Sequence, residues 1–314
     1  MSNAAVVLLS MAAGGVGLCT LLGFCGRWWW RFDLFSHFRA QYALLLAAAT
    51  VAFGLLGRLE LVILSGLFGL VNLGLLLPFY MPTGARPVEA KTYRLLACNV
   101  LQENQQYAHL IELIQRLKPD FIILLEVGEH WIEALKPLDA DYPHCVNEFW
   151  GEENYDIALM SRIAPQSLEV QRFGPTQVPT VVGRYLLDGK PLTLIGTHPA
   201  PPKTKAETEA RNAQLAALAP FAAAQASAVI MAGDLNITSW SPFFGDFVRR
   251  SGLRDSRLGM GHQPSWPVNS PLMRIPIDHA LVSAQVEVQR RWLEQPIGSD
   301  HFPVVLDFSL REMH

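Results

Sequence analysis

Three early stretches of the chain, 4–26, 40–57 and 61–80, run without a single charged side chain. A helix needs about 20 apolar residues to cross the hydrocarbon core of a bilayer, so each stretch predicts a transmembrane helix, the second only just. The first lacks the basic n-region of a cleaved signal peptide, and two further spans follow it, which favours a retained helix. From Thr92 the pattern changes. TYRLLACN (92–99) reads as a strand, QQYAHLIELIQRLKPD (105–120) as an amphipathic helix stopped at Pro119, and FIILLE (121–126) as a continuously buried strand. Further strands are predicted at 155–161, 180–187, 191–198, 228–236, 277–283 and 303–310, with an Ala-rich helix at 205–223. Many strands without a helix between each pair predict a layered α/β sandwich rather than a doubly wound parallel sheet. The turn-rich PTGARPVEA at 82–90 marks a linker, dividing a membrane anchor at 1–81 from a domain at 91–314.

Charge follows the same division. Half of the 314 residues are apolar and 17% are charged, with a mean hydropathy of +0.20. Soluble chains carry about 25% charged residues, and the shortfall here lies in the first 90 residues. They hold five Arg (27, 31, 39, 58, 86), no Lys and three acids (Asp33, Glu60, Glu89). The remainder holds 20 basic and 25 acidic residues, a net of −5. Disordered, collagen-like and uniformly soluble chains are excluded. Arg27, Trp28, Trp29, Trp30 and Arg31 form an interfacial collar, while Asn72 and the glycines at 54, 66, 69 and 74 suit helix packing. No charge sits mid-span, so an ion pathway has no support. Cys19, Cys25, Cys98 and Cys145 show neither a disulfide framework nor a zinc spacing.

Polar residues recur where the apolar strands end: Asn99, Glu126, His198, Asp234 and Asn236, then Asp278 with His279, and Asp300 with His301 before the last strand. Singly, each suits a turn or cap. Together, oxygen donors delivered to one rim suit a hard cation such as Mg²⁺ or Mn²⁺, and histidines among them supply acid/base function near neutral pH.

CNV at 98–100, LLEV at 124–127, GTH at 196–198, GDLN at 233–236, IDHALVS at 277–283 and GSDHFPVV at 298–305 occur in the order of the endonuclease/exonuclease/phosphatase family, which the chain resembles over about 91–310. The resemblance implies a DNase I-like fold of two mixed sheets flanked by helices. It also implies a hydrolase acting on phosphoester bonds. By this resemblance Glu126, Asn99 and Asp300 form the metal site, and His301 is the general base, supported by Asp278. Asp234 and Asn236 position the nucleophile and contact phosphoryl oxygens, and His198 stabilises the transition state or protonates the leaving oxygen. Asp156 is read as a rim residue and His279 as a packing residue facing the other way. Arg211, Trp266 and Arg274 are assigned to the substrate cleft, with a solvated face as the alternative for Arg211 and Gln214 and packing for the other two. With the three spans, THPAPP (197–202), SWP (265–267) and RIPIDHALVS (274–283) look most like the family's bacterial membrane-bound branch, which includes proteins linked to teicoplanin and vancomycin resistance.

That likeness implies a multi-pass protein of the bacterial cytoplasmic membrane, with the lipid bilayer and a phosphate ester, lipid-linked phosphates among the candidates, as its partners. The arginine distribution favours a cytoplasmic domain, whereas the resistance-linked branch suggests an external one, and both stay open. Nucleic acid is disfavoured as a substrate, because the domain is acidic and its longest basic cluster is Arg249–Arg250. A tethered nuclease is the second reading, and a non-catalytic scaffold the third.

Overall fold

The computed structural model describes residues 3–82, 91–151 and 155–311, so most of the expected linker lies outside the described residues. The N-terminal part comprises α1 (Asn3–Leu22), α2 (Trp30–Leu34), α3 (Arg39–Leu55) and α4 (Leu59–Leu76). Three helical stretches, Asn3–Leu22, Trp30–Leu55 and Leu59–Phe79, are long and apolar enough to cross a membrane. Their contacts combine buried apolar side chains such as Leu46 and Phe53 with polar pairs: Asn72 Nδ2 donates to Thr20 Oγ1 at 2.8 Å, and Thr50 Oγ1 donates to Ser65 Oγ at 2.9 Å. Their outer faces leave Leu8, Met11, Leu44, Leu55, Ile63 and Leu70 exposed, an apolar surface that water does not favour. Residues 27–39, between the first two uncharged runs of the sequence, are more than a charged collar. Trp28 is exposed, but Asp33 and Arg39 are fully buried, Arg39 lying over the Phe24 ring and donating to the Thr20 carbonyl at 2.8 Å.

The remaining elements run β1 (Tyr93–Asn99), α5 (Tyr107–Leu117), β2 (Phe121–Leu125), α6 (Glu129–Leu135), β3 (His144–Glu148), β4 (Ile157–Ser161), β5 (Ser167–Arg172), β6 (Pro179–Leu187) and β7 (Lys190–Thr197). Then follow α7 (Lys205–Ala223), β8 (Ala228–Asp234), α8 (Pro242–Ser251), β9 (Arg254–Asp255), β10 (Asp278–Val282), β11 (Val286–Leu293) and β12 (Val304–Leu310). Two mixed six-stranded sheets result, ordered β11-β12-β1-β2-β4-β3 and β5-β6-β7-β8-β10-β9. This is the layered α/β sandwich expected from the pattern.

Both faces of each sheet are covered, which explains the unbroken apolar runs. Side chains alternate along a strand. Phe121, Ile123 and Leu125 of β2 enter the core between the sheets, while Ile122 and Leu124 meet Leu110, Leu113 and Trp131 of the covering helices. On the other sheet, Ile195, Val229 and Met231 meet Leu215, Leu218, Phe244 and Phe247 in the same way. The helices carry local start and stop signals. The Thr204 side chain accepts the Glu207 amide at the start of α7, and α8 opens at Ser241–Pro242 and ends at Gly252 in a left-handed conformation.

Topology decides where the polar strand ends meet. β1 and β2 are parallel, as are β7 and β8, so their C-terminal ends share one edge of the sandwich. β10 runs antiparallel to β8 and β12 antiparallel to β1, so both begin at that edge, with Asp278 directly opposite Asp234. Gly233 lets the strands close here. Its φ is +149°, and a Cβ would sit 2.1 Å from the Thr197 carbonyl oxygen. Gly233→Ala is expected to cost about 2–3 kcal/mol of stability through overpacking and backbone strain, seen as a lower thermal midpoint and a loss of activity.

Candidate active site

Backbone strain collects at the shared edge. Leu101, Glu126 and Asn236 all hold positive φ, between 51° and 60°. Non-glycine residues persist there only when neighbours enforce it. The Glu126 amide donates to the Asp156 carbonyl at 2.8 Å, and its Oε1 accepts Asn99 Nδ2 at 2.8 Å. The Asn236 amide donates to Asp234 Oδ1 at 2.8 Å, and its side-chain amide donates to the Pro199 carbonyl at 3.0 Å. Glu126 and Asn236 thus aim functional groups while their backbones are tied down.

Two imidazoles meet four carboxylates at this edge. His301 Nδ1 is 2.9 Å from Asp278 Oδ2, leaving Nε2 to face Asp234 Oδ2 at 3.6 Å and Asp300 Oδ1 at 3.9 Å. His198 Nε2 lies 3.6 Å from Asp234 Oδ2 and 3.9 Å from Glu126 Oε1. Trp266 Nε1 donates to Asp300 Oδ2 at 2.8 Å and its ring lies 6.2 Å from that of His301. Arg291 donates to the Asp278 carbonyl, and Ser265 Oγ accepts the Asp278 amide. Ser299 ties the segment before β12 to the end of β1, donating to the Asn99 carbonyl and accepting the His301 amide.

Charge sets the protonation of this group. Burial works to lower the pKa of His301, but the carboxylates of Asp278, Asp234 and Asp300 outweigh it and push the imidazole up to about 10. Burial would raise Asp278, yet the charge and hydrogen bond of His301 hold it below the usual carboxylate range. His198 is likewise raised despite burial, through Asp234 and then Glu126.

The site opens into a cavity of about 1120 Å³. Glu126, His198, Asp234, Asn236, Trp266, Asp300 and His301 line it, and so do Leu34, His37 and Phe38 from the N-terminal segment. Among its described lining residues Lys203 is the only lysine or arginine, against Glu103, Glu126, Glu207, Asp234 and Asp300.

Not every expected site residue faces the cavity. Arg211 neither lines the cleft nor sits on a solvated face: its guanidinium is fully buried against Asp33 at 2.7 Å. Gln214 is buried as well, donating to Thr197 Oγ1 at 3.2 Å. Arg274 turns away, donating to the carbonyls of Pro267 and Val268 over the Phe302 ring. Asn99 uses Nδ2 on Glu126, and its Oδ1 accepts the Leu101 amide, so in this conformation it orients Glu126 rather than offering an oxygen to a cation. His279 is buried away from the cavity on the Ile237 carbonyl at 2.7 Å. Sequence reasoning missed Ser265, Ser299, Arg291 and Lys203. The serines lie within or beside the quoted SWP and GSDH motifs, whereas Arg291 and Lys203 carry no local signal.

The donor set fits a divalent cation. Even with both imidazoles protonated, the carboxylates of Glu126, Asp234, Asp278 and Asp300 leave the group negative, and their oxygens are the hard ligands that Mg²⁺ or Mn²⁺ takes. Donor atoms of Asp234, Asp278 and His301 lie within 4.8 Å of one another. Glu126, Asp234 and Asp300 line the cavity and Asp278 does not, so those three are the carboxylates open to an ion.

The endonuclease/exonuclease/phosphatase family model matches residues 92–301. No curated protein matches the sequence. Solved structures of similar fold include D. rerio TDP2 complexed with single strand DNA product, at 18% identity and a TM-score of 0.59, covering 70% of this chain and 99% of that one. The human Nocturnin catalytic domain with bound sulfate is 19% identical with a TM-score of 0.57, over 70% and 95%. A functionally unknown conserved protein from Enterococcus faecalis V583 is 14% identical with a TM-score of 0.58, over 69% and 100%. At these identities the likeness establishes the fold.

The raised His301 makes a pH prediction for the metal-free protein. Its folded pKa lies above the unfolded value of about 6.5, so its stabilisation is complete below pH 6.5 and is lost as pH rises towards about 10. Chelated protein is expected to lose stability from this group as pH rises across that window. Asp278→Asn should flatten the dependence in denaturant titrations at successive pH values.

Proposed function

The chain belongs to the endonuclease/exonuclease/phosphatase family and is a hydrolase of phosphoester bonds, and on that premise we propose a membrane-anchored enzyme that uses Mg²⁺ or Mn²⁺ to hydrolyse a lipid-linked phosphate. The proposed division is an anchor at 1–81, a linker at 82–90 and a catalytic domain at 91–314. The three apolar stretches then cross a bacterial cytoplasmic membrane, as in the family's branch associated with glycopeptide resistance.

Water at neutral pH is a weak nucleophile, and a phosphoester is anionic, so the site must activate one and neutralise the other. In this reading His301 Nε2 takes the proton of the attacking water, while Asp278 fixes its tautomer and stabilises the imidazolium that forms. Asp234 and Asn236 position the water and the phosphoryl oxygens. His198, between Asp234 and Glu126, donates to the developing charge or to the leaving oxygen. Of the three carboxylates open to an ion, Glu126 and Asp300 would hold it, with Asn99 orienting Glu126. When bound, the ion offsets charge on the phosphoryl group. An ion at Asp300 would offset only the smallest of the carboxylate charges that raise His301.

One observation carries the lipid-linked reading. The cavity holding the catalytic groups is walled in part by Leu34, His37 and Phe38, from the segment between the first two apolar stretches, and continues past Pro201, Ala206, Ala210 and Ile275. An apolar wall beside a membrane segment suits a phosphate carried on a hydrocarbon chain. Among the described lining residues a polyanion meets one lysine, Lys203, and no arginine, against five carboxylates.

The test uses the full chain in detergent with Mg²⁺, assaying phosphate release from a lipid diphosphate beside nicking of supercoiled DNA. Expected are lipid phosphate release without nicking, a fall of about 10²-fold or more in His301→Ala, and loss on chelation. Nicking that disappears in the same variant, without lipid phosphate release, would overturn the substrate assignment in favour of a tethered nuclease.

A further inference from the structure

The segment between the first two apolar stretches reaches the catalytic groups through a buried ion pair. Asp33 in α2 and Arg211 in α7 are both fully buried, with Arg211 Nη2 at 2.7 Å from Asp33 Oδ2. From Nη1 the same guanidinium donates to the Asn236 carbonyl at 2.8 Å. The other Asp33 oxygen accepts the Ser241 hydroxyl at 2.6 Å, and His37 Nδ1 lies 3.0 Å from the Thr238 hydroxyl. The loop that follows β8 is therefore gripped at three points, two of them by groups 201 and 208 residues earlier in the chain.

Asn236 is the sensitive end of this arrangement. Its left-handed backbone, at φ +51°, needs enforcement by its neighbours. Its amide holds Asp234 Oδ1, and the other Asp234 oxygen faces both His198 and His301 at 3.6 Å. Arg211 has no access to solvent, so without Asp33 its charge is left uncompensated and the groups around it must rearrange. The carbonyl of Asn236 is among those groups.

We propose that Asp33 is a positioning residue for phosphoester hydrolysis: acting through Arg211 it fixes Asn236 and the Asp234 carboxylate, so the N-terminal segment completes the active site. The inference rests on the reading of Asn236 as a phosphoryl-contacting group, and it holds whether the substrate is lipid-linked or not.

The experiment compares full-length variants in nanodiscs. Turnover of bis(p-nitrophenyl) phosphate with Mg²⁺ is measured beside orthovanadate affinity, read from the fluorescence of the cleft tryptophans, and the thermal midpoint. Asp33→Asn is expected to lower kcat and vanadate affinity about tenfold or more, with KM shifting less than about threefold. Arg27→Ala, which removes contacts between the same segment and α8 at Pro242 and Asp246 but none to Arg211 or Asn236, should leave kcat within about twofold. The double variant Asp33→Asn/Arg211→Gln removes the uncompensated charge, so it should regain stability and not turnover. Turnover that returns together with stability in the double variant would overturn the proposal, leaving the pair a scaffold contact. So would Asp33→Asn behaving as the unsubstituted protein. If Asn236→Ala loses activity while Asp33→Asn does not, positioning fails and the catalytic reading stands. If Asn236→Ala is itself unchanged, the premise falls with the proposal.

Discussion

Mutual repulsion among Glu126, Asp234, Asp278 and Asp300 is the constraint around which the catalytic edge is organised. Four carboxylates crowd the ends of strands from both sheets, and only the hydrogen bond between Asp278 and His301, at 2.9 Å, pairs one of them closely with a cationic ring. Everything adjacent reads as management of that charge. Asn99 and Trp266 donate to Glu126 and Asp300, His198 stands between Glu126 and Asp234, and Ser299 locks the His301 backbone to the end of β1. The residual negative charge makes the edge receptive to a divalent ion and therefore to a phosphate.

The sandwich delivers these groups because parallel pairs sit at the centre of each sheet. β1 with β2 and β7 with β8 end at the same edge, and the antiparallel β10 and β12 begin there. Large strand-to-strand cores on both faces of each sheet hold that edge rigid, so strained backbone at Leu101, Glu126 and Asn236 is sustained where the chemistry needs it.

The sequence made the central strands legible and the borders opaque. FIILL and AVIMAGD are apolar throughout because both faces are buried, and such runs announce themselves. β5 (SLEVQR) lies at a sheet edge with every residue partly exposed or more, and β11 (VEVQRRWL) carries a register shift between Val288 and Arg290, so neither shows a clean period. α6 and α8 are short helices whose few buried positions resemble loop hydrophobics. The strand-end carboxylates and histidines could be singled out because polar residues terminating apolar strands are conspicuous. The buried role of Arg211 could not be read, since its partner Asp33 is 178 residues away and lies among residues that look like a membrane collar. Nor could the share of the cavity wall formed by Leu34 and Phe38, because no local pattern tells an interfacial apolar residue from one that lines a site.

That the carboxylate edge is a divalent-cation site is the claim on which the chemistry turns. Calorimetric titration of Mn²⁺ into the chelator-stripped full chain tests it most directly, with Glu126→Gln and the cavity-lining Glu103→Gln in parallel. The account predicts one ion per chain, with affinity reduced about tenfold or more by Glu126→Gln and little changed by Glu103→Gln. Absence of binding, or equal affinity in Glu126→Gln and the unsubstituted chain, would contradict it.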